Sequence, residues 1–237
     1  MKLLRIKIFF GSALSLVMLS SFFQNEVLLK LSAAVVIKQV QQGKSITIKG
    51  DVYYQQNGKL TTHFVSPKEY VMLSNNFGEV KVYDPEKNTV LQYQNFLFSS
   101  QTSQFYYFFT GKAYDMGLSS IGYAQDKTYN QDQLLVTEWR LKVPDKKTAI
   151  QKVKLVYENR KPVYMDYRTA EDKIIRKVFY YNYTHLFSYD FPSTTTEIVY
   201  ADKDSTVSKT SYSDIKTNDQ ANSTYFNFTI PSNAKSE

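Results

Sequence analysis

His63 and His185 are the only histidines of this 237-residue chain, and it has no cysteine. Zinc or nucleophile chemistry needs such groups clustered at short spacing, and these two stand far apart in the sequence, outside any zinc motif. Gly117-Leu118-Ser119-Ser120-Ile121-Gly122 has the residues of a nucleophile elbow but lacks its Gly-x-Ser-x-Gly spacing. Asp166, Glu171 and Asp172 offer carboxylates for glycoside chemistry, yet they lie beside turns, where acids are ordinarily solvated. Asn-x-Thr triplets at Asn182, Asn222 and Asn227 arise easily in strands rich in Asn and Thr. The expectation is a protein with no catalytic residue, no metal and no cofactor.

The chemistry the sequence does carry is apolar. Tyr 20, Phe 16 and Trp 1 bring the aromatic share to 16%, while glycine and proline are few. Aromatic and β-branched residues fit pleated surfaces. Residues 46–94 carry the clearest pattern: short runs of Ile, Val, Tyr and Phe are cut at Asn57-Gly58, Ser66-Pro67, Asn75-Asn76 with Gly78, and Asp84-Pro85. Each cut supplies turn chemistry, so the segment reads as an antiparallel meander. Ile46, Ile48, Val52 and Tyr54 share one face of its first strand, and Leu60, Thr62 and Phe64 share one face of the next. A sheet that displays aromatic side chains and no reactive groups is suited to holding an apolar ligand.

The elements around this meander complete the architecture. Residues 25–42 fit either an opening helix or a first strand turning at Gln42-Gly43-Lys44. Residues 99–122 predict a short helix capped near Ser99, with Phe105, Phe108 and Phe109 on one stripe and Gly111 as the stop, followed by an irregular stretch. Strands resume at 134–142, 150–157, 162–168 and 174–183, joined by Pro144-Asp145-Lys146-Lys147, Asn159-Arg160-Lys161 and Glu171-Asp172-Lys173. Weaker strand runs follow Phe191-Pro192, at 194–200, 205–213 and 224–230. Roughly ten strands and little helix predict a mainly β fold: a large curved sheet, barrel or sandwich.

Residues 1–24 have the shape of a signal peptide, with Lys2, Arg5 and Lys7 ahead of a short apolar run from Ile8 to Met18. The run is short for a membrane span. Ser21 and Ala34 are the candidate cleavage points, an uncleaved signal anchor is the alternative, and the rest, 25–237, is expected to be a single exported domain without a lipobox cysteine for lipid attachment. The formal net charge of +7 includes the three leader cations, and the remaining cations alternate with acids, as in Lys68-Glu69 and Glu86-Lys87. That is a mixed solvated face, not a nucleic-acid stripe.

The order Gly50-Asp51-Val52-Tyr53-Tyr54, Gly58-Lys59-Leu60, Phe64, Pro67, Glu69-Tyr70-Val71, Val82-Tyr83-Asp84-Pro85 resembles the periplasmic lipoprotein carriers of the LolA type. Pro144 before the Ile150–Tyr157 strand, Tyr164-Met165-Asp166, the Ile174–Tyr183 strand and the ending Phe226-Asn227-Phe228-Thr229-Ile230-Pro231 extend the likeness. The resemblance implies a strongly curved, half-open antiparallel barrel whose concave apolar face is covered by short helices and accepts lipoprotein acyl chains. It implies a monomer in the periplasm, served by an inner-membrane release machinery and an outer-membrane acceptor. The family often places an arginine and a tryptophan where this chain has Thr61 and Thr62.

Alternation then nominates the cavity wall: Val52, Tyr54, Leu60 and Phe64 from the first strands, and Met72, Val82 and Val90 from the next. The second half contributes Leu135 and Trp139, then Val153, Leu155 and Tyr157. Phe105, Phe108 and Phe109 are the expected lid. For each of these residues taken singly, ordinary core packing is favoured over ligand contact. The alternative function is a secreted β-rich module that docks a protein partner through an outward apolar face.

Overall fold

The computed structural model describes residues 27–75, 78–94, 100–143, 149–201 and 204–237. The expected leader, the cap at Ser99 and the 144–147 turn lie outside these residues. Among the described residues, fourteen strands form one sheet: β1 (Lys30–Gln41), β2 (Lys44–Gln55), β3 (Leu60–Ser66), β4 (Tyr70–Ser74), β5 (Glu79–Asp84), β6 (Thr89–Gln94), β7 (Tyr123–Gln131), β8 (Leu134–Leu141), β9 (Lys152–Glu158), β10 (Lys161–Arg168), β11 (Ile174–Leu186), β12 (Tyr189–Tyr200), β13 (Ser205–Thr217) and β14 (Lys235–Ser236). Their spatial order is β14-β6-β5-β4-β3-β2-β1-β13-β12-β11-β10-β9-β8-β7. The first and last strands in this order do not pair, so the curved sheet is a half-open barrel.

All pairings are antiparallel except the short β14–β6 contact. The meander is sustained by tight two-residue turns in which both residues have positive φ: Gln42-Gly43, Asp132-Gln133 and Asn159-Arg160. This backbone twist matches that of the flanking strands, and glycine, Asn and Asp tolerate it best. The opening segment resolves as a strand. Leu31, Ala33, Val35 and Ile37 of β1 all point into the core, a period of two that no helix could satisfy.

Gly50 marks a close approach of backbone to backbone. A Cβ there would lie 2.3 Å from the His63 backbone oxygen, because β3 bulges opposite it and swings Phe64 across the gap. Only glycine fits.

The one α-helix among the described residues, α1 (Ser100–Phe109), crosses the concave face. One strand was not expected and one expectation needs correction. After the irregular stretch that follows α1 comes a full strand, β7, whose residues Gln125–Gln131 are exposed and therefore show no apolar period. The run 224–230 is no strand: Thr224–Asn227 forms a 3-10 turn on the convex face, because its aromatic residues pack sideways against strands already paired on both edges.

Candidate functional site

Residues directly opposite one another in an antiparallel ladder point to the same face. The pairs Ala33–Val52, Leu31–Tyr54, Tyr54–Leu60 and Gly50–Phe64 therefore place Val52, Tyr54, Leu60 and Phe64 together on the concave side. Met72 and Val82 continue this row through Thr62, although neither joins the main core cluster. Val90 does not: it pairs with Tyr83, whose ring meets Phe228 on the convex side. The alternation assigned to that strand was out by one residue, since nothing in Thr89–Gln94 marks which face is buried. Leu135, Trp139, Val153, Leu155 and Tyr157 share the concave side of the other half. Thr61 and Thr62 are both buried but point to opposite faces.

Phe105, Phe108 and Phe109 come together on one stripe of α1 and fill the concavity. Phe105 lies 4.9 Å from Phe191, 5.7 Å from Tyr54 and 5.0 Å from Tyr212 between ring centres. Phe109 stacks on Phe191 at 5.0 Å and meets Tyr54 at 5.5 Å and Tyr189 at 5.9 Å. Phe108 reaches Tyr180 and Tyr183 edge-on. The receiving aromatics Phe191, Tyr212, Tyr180, Tyr183 and Tyr189 were missed as wall candidates. Their signal was present as aromatic runs in β11 to β13, but Phe191-Pro192 resembled a turn rather than the start of β12.

The loop behind α1 is tightly specified. Gly111 has φ 70° and ends the helix in the left-handed conformation. The Asp115 carboxylate accepts hydrogen bonds from the Gly117 and Ser119 amides at 2.9 and 3.3 Å. Gly117, at φ 75°, lies beneath Tyr107, whose ring would be 2.1 Å from any Cβ added there. Tyr157 donates from its hydroxyl to the Tyr114 carbonyl, tying the loop to β9.

Beside α1 the concavity stays open. A cavity of about 670 Å³ runs between Phe108, Ala113 and Tyr114 on one side and Leu135, Thr137 and Tyr157 on the other. Pro162, Tyr183 and Tyr189 also line it, together with the polar Gln125, Arg160, Lys161 and Asp190. Of the residues expected at the wall or lid, Leu135, Tyr157 and Phe108 line this cavity, whereas the others named above as concave pack around the core or its margin. Its size suits a lipid chain or a small ligand, and its aromatic walls offer mostly apolar contact.

A partly buried charge pair also lies on the concave side. Arg176 is ion-paired to Glu197 and sits 4.9 Å over the Tyr167 ring. Tyr167 and Glu197 favour its charged form and hold its pKa above the ordinary arginine value despite the opposing effect of burial. A lone Arg in the Ile174–Tyr183 run gave no sequence signal of this.

The groups that could have carried other chemistry are engaged in structural pairs. Asp166 accepts from Arg168 at 2.6 and 2.8 Å and from Tyr164 at 3.0 Å. Asp172 pairs with Lys152 at 2.7 Å, and His185 with Asp190 at 3.1 Å. His63 stacks on Tyr225 at 4.4 Å and lies 2.8 Å from Glu69. Among the described residues no three His, Asp or Glu side chains converge as a metal site.

With this geometry in hand, comparison with solved structures is decisive for the fold. A LolA superfamily protein from Nitrosomonas europaea matches 81% of this chain and 87% of its own, at 16% identity and a TM-score of 0.55. The protein has a LolA-like fold. A DUF1329 family protein from Desulfovibrio piger matches 86% of this chain and 91% of its own, at 15% identity and a TM-score of 0.58. A domain from Vibrio parahaemolyticus, described as an outer membrane lipoprotein-sorting protein, matches 84% and 89%, at 14% identity and a TM-score of 0.58. No family model and no curated protein matches the sequence.

Proposed function

We propose that this protein is a non-enzymatic carrier of the cell envelope that shelters acyl chains, those of lipoproteins or of another lipid, and transfers them towards the outer membrane. The observation that carries this reading is the apolar cavity alongside α1, inside the concavity of a LolA-like sheet. The signal-peptide shape of residues 1–24 supports export to the periplasm. Release and acceptor machineries on the two membranes, and a monomeric carrier between them, belong to the same proposal.

Energetics favour exchange over permanent storage. Withdrawing the three α1 phenylalanines from the concavity would expose side chains worth about 1.5–3 kcal/mol each. An entering acyl chain gains about 0.8 kcal/mol for each buried methylene. About six to eleven methylenes therefore offset the helix, so an ordinary acyl chain brings the loaded and empty states close in free energy. At 10 residues α1 is too short to persist in water on its own, so it is held in place by these contacts and by its loop.

The test is capture and transfer. Mature protein should solubilise a lipoprotein released from membrane vesicles, and native mass spectrometry of protein taken from its own envelope should show acyl species. Consistent absence of acyl species alongside a stable protein partner would overturn the carrier reading in favour of a docking module.

A further inference from the structure

Tyr54 occupies the centre of the concave face, fully buried beneath α1 with Phe105 and Phe109 against its ring. Its hydroxyl is buried and has no hydrogen-bond partner among the described residues. Other tyrosines on the sheet differ. Tyr123 donates to the Ile150 carbonyl at 2.9 Å, Tyr157 to the Tyr114 carbonyl and Tyr183 to the Pro162 carbonyl. An unpaired buried hydroxyl is a net cost to folding, whereas a phenylalanine would fill the same space without one. The empty protein gives this oxygen nothing to do.

The partner it lacks can be specified chemically. Burial pushes the Tyr54 phenol well above its ordinary pKa, and the nearby Tyr106 and Tyr189 phenols push it the same way, so at neutral pH it is a donor. Tyr189 lines the open cavity and packs on Phe109, which in turn covers Tyr54. Phe109 thus stands between a cavity-lining residue and Tyr54. Resting on the carrier reading above, we infer that Tyr54 donates a hydrogen bond to a carbonyl acceptor of the bound lipid, so that the site selects acyl esters or amides over bare hydrocarbon. Tyr54 is thus a specificity residue, with the aliphatic part of the ligand held by the surrounding rings.

The test uses two pyrene-labelled probes of equal chain length, one a methyl ester and one a plain hydrocarbon, against wild type and Tyr54→Phe. Comparing the two proteins for each probe cancels the probes' different solubilities. Tyr54→Phe should weaken the ester probe about fivefold, the worth of one neutral hydrogen bond, and leave the hydrocarbon probe unchanged. Its melting temperature should stay level or rise. If both probes weaken equally, if neither does, or if melting falls by several degrees with the ester preference intact, the hydroxyl is structural and the inference fails. If wild type binds neither probe, the carrier reading itself fails and takes the inference with it.

Discussion

Two aromatic segments cover opposite faces of the same sheet, and they are attached differently. On the concave side α1 inserts Phe105, Phe108 and Phe109 among rings, beside an open cavity. On the convex side Tyr225, Phe226 and Phe228 lie against Tyr53, His63 and Tyr83. The convex cover is also bonded through its backbone: Gln55 and Lys59 both donate to the Phe226 carbonyl, and the Tyr225 hydroxyl meets His63 at 3.2 Å. Apolar contact is non-directional, so another apolar body can replace it; a set of directed hydrogen bonds has no such substitute. On the proposed carrier function, the convex cover stays in place and the concave one is the part exchanged for ligand.

The sharpest way to break this comparison is Phe226→Ala. Removing a buried phenylalanine from the fixed cover should cost about 3–5 kcal/mol in urea unfolding. Fluorescent fatty-acid affinity per folded molecule should be unchanged; a parallel loss of affinity would mean the two faces are not independent.

Phe108→Glu tests the other face. A carboxylate beside the cavity opposes both the packed helix and an acyl chain, since burying it unpaired costs at least 1–3 kcal/mol. Affinity for the same probe should fall about tenfold or more in protein that keeps a native β spectrum, with Lys68→Ala as the surface control. Wild-type affinity per folded molecule would make these phenylalanines plain core and not a lid.

Gly117→Ala should have a smaller effect, about 1–2 kcal/mol from the left-handed backbone alone. The added methyl also displaces the Tyr107 ring from beneath α1. Stopped-flow mixing should show faster probe entry; an unchanged entry rate would show that the loop does not govern the helix.

The smallest expected effect concerns acid. Hydrogen bonding from Lys68 holds the Asp84 pKa below its ordinary 3.8. A lowered folded pKa stabilises the fold above the ordinary value, and that contribution disappears as pH falls through the folded one. The Lys68 ammonium lies 2.8 Å from Asp84 and 3.1 Å from Glu86, linking the turn after β3 to the turn after β5. Lys68→Ala should therefore melt slightly earlier than wild type at pH 7, with the gap closing towards pH 3. A gap that persisted in acid would assign the effect to lysine packing rather than charge.

Much of the sheet was legible because its strands announce themselves twice, by alternation and by turn chemistry. β2 to β5 and β8 to β11 combine Ile, Val, Tyr and Phe at period two with Gly, Asn, Asp or Pro between them. β7 was hidden because an exposed edge strand has no buried face to create a period. The aromatic stripe of α1 was legible from the spacing of Phe105, Phe108 and Phe109, whereas its receptors on β11 to β13 were not. Which of several tyrosines surrounds the helix depends on strand order, and strand order has no local code.

The sequence by itself determined the mainly β class, the aromatic helix and the absence of a clustered reactive signature, since each follows from residue type at short spacing. Only the tertiary structure decided that β1 pairs with both β2 and β13, joining the two meanders into one curved sheet. It also decided that Val90 faces away from Val82, and that Tyr54 lies buried beneath the helix with an unpaired hydroxyl. These are long-range facts. A side chain's face is fixed by the register of its neighbour, and its satisfaction by whatever distant atoms the closed fold brings within reach.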